Sequence, residues 1–267
     1  MASLDEKRMA LHNASIFDDN TVGPFRRMYD QFEAIKANKD VFCFVFNNEH
    51  ASPPAQKGVA HMKGMIFFHG NQEIFVSYTI PRFPDLKRND GYVINATRNA
   101  QHIFCCNIGK DALATISEHL WTAHPDIFFK NVPKEYLKIG KIQQIFDGFF
   151  REDFQKCMKY ELTTRGNFPF TIYTRTHTDD EAKKYHASLW DELPKIYNQS
   201  FNVQTWYGKG DTKCTCCVKD GKSQVSNIQS THVNGASWKR TQDHSKIGYG
   251  VKTNILSVCD LNHTVSF

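Results

Sequence analysis

The order of hydrophobic and polar positions in the first third of the chain predicts a helix followed by a buried sheet. Apolar side chains recur at helical spacing over residues 25–37, and Pro24 suits the first turn of that helix. The continuous apolar run 41–46 is typical of a strand buried on both faces. Strands at 63–68 and 73–80 are separated by a short turn-prone segment, which predicts a hairpin.

The pattern then alternates between strands and helices. A strand over 102–108 leads into a helix over 110–123, whose apolar stripe indicates packing on a sheet. The aromatic-rich segment 142–160 is predicted to be a helix that connects two lobes, with its aromatic side chains in the core rather than stacked on bases. The remaining predicted elements are a strand at 168–174, a helix opened by a capping box at 178–181, and strands at 202–207, 224–233, 244–251 and 254–261.

Strand, helix and hairpin therefore recur in each half of the chain. This order predicts an α/β fold of two pseudo-symmetric lobes, each with a mixed sheet flanked by helices. The lobes are expected to comprise residues 1–160 and 161–267. A chain of 267 residues is long enough to give such lobes a real core.

Charge and hydropathy narrow the class of protein. The formal net charge of +5 is compatible with a polyanionic substrate, but the chain lacks the dense basic runs of a nucleic-acid-binding tail. No stretch approaches the roughly 18 apolar residues that cross a bilayer. The first eight residues lack the apolar core of a secretory signal, so the N-terminus as it stands predicts a cytosolic chain.

Cysteines and sequons favour an oxidising compartment instead of the cytosol. Three of the eight cysteines cluster at 214–217 without a Cys-x2-Cys knuckle and a matching second pair, which favours disulfides over a zinc site. Disulfides require an oxidising compartment. A segment upstream of Met1 would reconcile these signals. Four Asn-x-Ser/Thr sequons are candidate glycan sites there: Asn13, Asn95, Asn198 and Asn262. Asn262 is expected to be buried and unmodified if its amide takes part in catalysis.

Two His-x-Lys pairs carry the candidate chemistry. His61 and Lys63 form one pair, and His244 and Lys246 form the other. Residues two apart in an extended segment point to one face. A neutral imidazole can attack phosphorus or transfer a proton, and an ammonium beside it can hold phosphate oxygens as charge develops. The two pairs predict one composite phosphodiester site, whereas the remaining histidines are expected to be surface or supporting residues.

These segments resemble the type II (acid) deoxyribonucleases, which belong with the phospholipase D-like nucleases. The N-terminal match comprises residues 58–64 followed by 80–84. The C-terminal match comprises 243–246 and then 259–262, which is similar to the family's Gly-Asp-Leu-Asn segment. The resemblance covers most of the chain from about residue 17 onward.

The resemblance implies a metal-independent acid endodeoxyribonuclease that leaves 3′-phosphate ends through a phosphohistidine intermediate. It implies DNA as the substrate, no cofactor and no metal, and a lysosomal or secreted location. One of His61 and His244 would attack while the other is protonated, and the sequence leaves open which is the nucleophile. Lys63 and Lys246 would hold the non-bridging oxygens, with Asn262 as a neutral donor.

Three departures from the family pattern support an alternative. Tyr78 stands where the family has a further histidine, the family's signal and first strand are absent from the front, and the chain stops soon after Asn262. The alternative is a catalytically weakened member that binds DNA or a protein partner without cleavage. Phospholipid hydrolysis is less favoured, because the flanks of both pairs match the nucleases. Pseudo-twofold lobes fit a monomer, although the sequence does not fix the oligomeric state.

Overall fold

A computed structural model describes most of the chain as a mixed α/β fold. The described residues are 24–50, 56, 58–84, 99–176, 189–205, 225–233 and 235–260. In chain order, the elements up to residue 146 are α1 (Pro24–Ile35), β1 (Phe42–Asn47), β2 (Lys63–His69), β3 (Gln72–Tyr78), β4 (Ile103–Asn107), α2 (Ala112–Ala123), β5 (Ile127–Asn131), α3 (Lys134–Leu137) and α4 (Ile142–Phe146). The later ones are β6 (Met158–Thr163), β7 (Pro169–Thr174), α5 (Leu189–Tyr197), β8 (Phe201–Gln204), β9 (Val225–Asn227), β10 (Ser230–Val233), β11 (Ala236–Lys239), β12 (Ile247–Gly250) and β13 (Leu256–Val258).

The larger sheet is antiparallel and is covered by helices on both faces. Its strand order is β4-β3-β2-β1-β5. Successive side chains of a strand point to opposite faces. On β1, Cys43 and Val45 accordingly pack in one core cluster with residues of α1, while Phe42, Phe44 and Phe46 pack in a second cluster with residues of α2 and α4. Burial of both faces explains why β1 is apolar without alternation, as its sequence predicts.

The smaller sheet has the order β13-β12-β8-β9 and pairs β8 with β9 in parallel. Its core joins Trp190 of α5 to Phe201 and Val203 of β8. The chain just before β12 also reaches the larger sheet. Ala100 forms a parallel bridge with Asp243 and accepts a hydrogen bond from the backbone N–H of His244 at 2.8 Å. These backbone contacts place His244 beside the end of the larger sheet.

Most predicted elements that fall on described residues are confirmed. The helix α1, the buried strand β1, the hairpin β2–β3 and the strand-helix unit β4–α2 lie within two residues of their predicted bounds. The predicted capping box at 178–181 and the cysteine cluster at 214–217 lie outside the described residues. The arrangement as two pseudo-symmetric lobes stays a prediction. Among the described helices, none has the length and apolar character needed to span a bilayer.

The prediction of one helix over residues 142–160 is wrong. The helix α4 ends at Phe146, and Gly148 follows with a φ of +82°, a conformation that favours glycine and that a helix does not continue through. Met158 then begins β6, which pairs with β7. The aromatic residues of this segment are not all in the core either, since Phe149 is 68% exposed. The helical spacing of its aromatic residues was therefore misleading.

The cysteines and sequons are only partly described. Cys43, Cys105, Cys106 and Cys157 are free thiols. The disulfides expected at 214–217 stay a prediction. Of the four sequons, only that of Asn198 falls on described residues.

Gly64 provides a test of how tightly the larger sheet is packed around the start of β2. A Cβ at this position would lie 2.6 Å from Cζ of the Phe46 ring and would also collide with the carbonyl oxygen of Val76. We expect Gly64→Ala to destabilise the protein by about 1–3 kcal/mol, because an overpacked strand core must move backbone. Urea unfolding measures this loss. Gly109→Ala is the control, since its Cβ would meet no atom within 4 Å, and an equal loss in both variants would contradict the packing.

Candidate active site

The two His-x-Lys pairs meet at one buried carboxylate, that of Asp260. His61 Nδ1 lies 3.3 Å from Oδ2, and Lys63 Nζ lies 3.0 Å from the same oxygen. Lys246 Nζ lies 3.4 Å from Oδ1. Lys246 Nζ is also 3.4 Å from Nδ1 of His244, which brings the fourth predicted residue into the cluster. The structure therefore brings together all four residues of the two pairs.

Lys63 is the first residue of β2, and its side chain is fully buried. The register of the β1–β2 ladder pairs it with Asn47, so the two residues that follow β1 lie beside its ammonium group. Nζ donates to Asn48 Oδ1 at 2.9 Å and Asp260 Oδ2 at 3.0 Å, and Glu49 Oε2 lies 3.1 Å away. A lysine ammonium has three N–H donors. These three oxygens supply an acceptor for each of them.

His61 is positioned by the chain just before β2. The backbone N–H of Ala60 donates to the His124 carbonyl at 3.0 Å, and Ala60 forms a parallel bridge with Pro125. The next residue, His61, directs Nδ1 to Asp260 at an ion-pair distance without the alignment of a hydrogen bond. About a third of its side chain is exposed. The ring therefore has an anion on one side and access to solvent.

The ring of His244 is oriented by the carbonyl of Thr79. Its Nδ1 lies 2.9 Å from that oxygen and 3.1 Å from Gln101 Oε1. A carbonyl oxygen only accepts hydrogen bonds, so Nδ1 carries the proton and the neutral ring has its lone pair on Nε2. Burial, followed by the charge of Lys246, lowers the pKa of His244 from 6.5 to about 4. His244 is therefore neutral in mildly acidic solution.

Charges within the cluster balance. Burial alone would raise the pKa of Asp260, but Lys63, His61 and Lys246 hold it well below its usual range. Burial lowers the pKa of Lys246. With both lysines charged and with Asp260 and Glu49 ionised, the cluster carries two positive and two negative charges when its histidines are neutral.

Sequence reasoning missed several residues of the cluster. Asp260 lies in the 259–262 segment that suggested Asn262, but only the fold reveals that both lysines face its carboxylate. His102 is buried and its Nδ1 accepts the backbone N–H of Lys246 at 3.3 Å, while burial lowers its pKa to about 4. No sequence motif marks His102. Asn262 itself lies outside the described residues.

The hydroxyl of Tyr78 is fully buried and donates to the Phe83 carbonyl at 3.0 Å. This side chain is therefore held in the core beside the cluster.

Within the described ranges, no group of three or more His, Cys, Asp or Glu side chains is placed to hold a metal ion.

The chain matches one family model and is similar to several known proteins. The sequence model described as Deoxyribonuclease II matches residues 2–266. The chain is similar to Cell-death-related nuclease 7 of Caenorhabditis elegans, with 23% identity over 223 residues, which is 80% of this chain. It is also similar to Deoxyribonuclease-2 of Caenorhabditis elegans, with 23% identity over 82% of the chain, and to Plancitoxin-1 of Acanthaster planci, with 24% identity over 78%. These alignments span 57–58% of the length of the relatives.

Proposed function

The chain belongs to the deoxyribonuclease II family, and on that premise we propose that it is a metal-independent acid endodeoxyribonuclease. The observation that carries this proposal is the convergence of both His-x-Lys pairs on Asp260. Two imidazoles and two ammonium groups around one position provide a nucleophile, an acid and charge stabilisation. We propose a lysosomal or secreted location, of which the lysosome would supply an acidic medium.

We propose that His244 is the nucleophile and that His61 is the acid in the first step. Nε2 of His244 attacks phosphorus, the bond from phosphorus to the 5′-oxygen breaks, and protonated His61 donates its proton to that oxygen. The products are a free 5′-hydroxyl strand and a 3′-phosphoryl group on His244. The lowered pKa of His244 supports its role, because the ring keeps its lone pair in mild acid. The Asp260 carboxylate lies 3.3 Å from His61 Nδ1, on the side of the ring where an anion can hold it in position during the transfer.

The second step returns the enzyme to its starting state. His61, now neutral, takes a proton from water as the water oxygen attacks phosphorus. The bond from phosphorus to Nε2 of His244 breaks, which releases a 3′-phosphate. Lys63 and Lys246 stabilise the negative charge on the non-bridging oxygens in both steps. Asn262, two residues after Asp260, is the proposed neutral donor to the same oxygens.

A second candidate function is DNA or protein binding by a catalytically weakened family member. Two observations favour it. Each donor of Lys63 already has an acceptor within the protein, and the Tyr78 hydroxyl is engaged with Phe83.

A plasmid-nicking assay in EDTA distinguishes the endonuclease from the non-cleaving binding protein. At about pH 5, below the ordinary histidine pKa of about 6.5, the purified chain is expected to convert supercoiled plasmid into nicked circles. The 3′ ends should resist polymerase extension until a phosphatase removes the terminal phosphate. Plasmid binding without nicking would favour the second candidate. Nicking that EDTA abolishes would contradict the metal-independent mechanism.

A further inference from the structure

The acceptors around Lys63 raise a problem for phosphate binding. Its ammonium already faces three oxygens, from Asn48 at 2.9 Å, Asp260 at 3.0 Å and Glu49 at 3.1 Å. A phosphate oxygen can accept a hydrogen bond from Lys63 only when one of these oxygens moves away. By contrast, the contacts of Lys246 with Asp260 and His244 are all 3.4–3.5 Å. Lys246 therefore has the longer contacts of the two cations, although both side chains are fully buried.

The three acceptors differ in how easily they leave. Asp260 is buried between both lysines and His61, so its departure would leave buried charges without a counterion. Asn48 is neutral and partly buried. The side chain of Glu49 is 46% exposed and can turn into solvent, where water would solvate its charge. Glu49 is therefore the acceptor that an incoming anion can replace without changing the net charge, and solvent can take up its carboxylate.

We propose that the Glu49 carboxylate is a latch that occupies the phosphate-oxygen position on Lys63 and is displaced by the scissile phosphodiester. This inference rests on the proposed function for the identity of the ligand. Glu49 and a phosphodiester each carry a single negative charge, so the exchange leaves the charge of the cluster unchanged. A phosphate oxygen reaches Lys63 as the Glu49 carboxylate turns into solvent.

The latch gives Glu49 a specific kinetic effect. The carboxylate competes with substrate in the free enzyme but is absent from the bound complex, so its removal lowers KM and leaves kcat nearly unchanged. Partial burial would raise the pKa of Glu49, but the Lys63 ammonium holds it below its usual value. The latch is therefore still charged in the mild acid in which the enzyme is proposed to act.

Phosphate affinity tests the latch without requiring catalysis. Inorganic phosphate is titrated into the wild-type chain, Glu49→Gln and Glu49→Ala at about pH 5 and followed by calorimetry. We expect both variants to bind phosphate about tenfold more tightly than the wild type, the effect of removing one competing ion pair. Glu161→Gln is the matched control. It makes the same charge change at a side chain that is 74% exposed on β6, and it should bind phosphate as the wild type does.

Nicking kinetics on the same proteins complete the test. Glu49→Gln should lower the KM for plasmid about tenfold and change kcat by less than about twofold, in keeping with a competitor of the ground state. Equal phosphate affinity in wild type and Glu49→Gln, or phosphate binding to neither, overturns the latch whether or not the chain nicks DNA. Tighter phosphate binding by Glu49→Gln with no nicking by any of the proteins supports the latch and overturns the nuclease.

Discussion

Replacing Asp260 with asparagine is expected to destabilise the folded protein by roughly 3–5 kcal/mol, because breaking a buried ion pair leaves uncompensated charge. Both oxygens of this carboxylate face lysine side chains that are fully buried. Asparagine keeps the shape and removes the charge. Urea unfolding at about pH 7 measures the loss. Asp153→Asn is the control, because its carboxylate pairs with Arg151 at the surface and little change is expected there.

The same variant has a characteristic pH dependence. The folded pKa of Asp260 lies below that of the unfolded chain, about 3.9. Its stabilising effect is therefore complete above that value and is lost as the pH falls below about 4, where the unfolded chain takes up the proton first. The difference in the free energy of unfolding between the wild type and Asp260→Asn should narrow only in that range. A difference that is absent at about pH 7, or constant down to pH 3, would contradict a charged Asp260.

Buried histidines make the free energy of unfolding of the wild type and of Asp260→Asn depend on pH above about 4 as well. The folded pKa values of His102 and His119 are lowered to about 4 by burial, whereas an unfolded histidine titrates near 6.5. The unfolded chain therefore binds more protons between these values, and stability falls as the pH is lowered from about 6.5 to 4. The His119 contribution should be the same in the wild type and in Asp260→Asn, because burial alone lowers its pKa. Asp260 raises the pKa of His102, so its removal lowers that pKa further and steepens the slope of the variant.

The second large effect is on catalysis. We expect His244→Ala and His61→Ala each to lower the rate of DNA nicking by roughly 10³-fold, the usual loss when a group that transfers a proton or attacks in the transition state is removed. The control is His69→Ala, since His69 is exposed at the end of β2, where its Nε2 lies 3.4 Å from Nδ2 of Asn38. Its nicking rate should equal that of the wild type.

An activated substrate separates the roles of the two histidines. A p-nitrophenyl ester of thymidine 3′-phosphate has a leaving group that departs without a proton, so the first step no longer needs an acid. His61→Ala should then release one burst of p-nitrophenol and retain the thymidine 3′-phosphoryl group on His244, because the base for the second step is missing. His244→Ala should give no burst. A burst from His244→Ala and none from His61→Ala would show that the roles are exchanged.

Local patterns predicted the elements that carry the site. The apolar run of β1 and the turn between β2 and β3 are visible in the sequence because strand burial and turn chemistry depend on adjacent residues. The two His-x-Lys pairs were predicted to share a face within strands. In the structure, Lys63 begins β2 and residues 244–246 precede β12, but each pair still converges because an extended segment gives the same alternation.

The partners of these pairs depend on contacts that no local pattern encodes. Asp260 reaches Lys63 only through the packing of two sheets, and Glu49 reaches it through the β1–β2 register. At residues 142–160 a local pattern was present, but it predicted the wrong structure. Its aromatic spacing suits a helix, but Gly148 and the pairing of β6 with β7 determine the backbone there. Tertiary contacts override local preference in such segments.

The most direct test of a single composite site is the nicking rate of the double variant His61→Ala/His244→Ala in EDTA, compared with each single variant and the wild type. Residues that act in one catalytic unit are strongly non-additive, because losing either one already disables the reaction. We predict a double variant no slower than the slower single variant. Losses that multiply, or a single variant that nicks plasmid at the wild-type rate, would contradict the composite site.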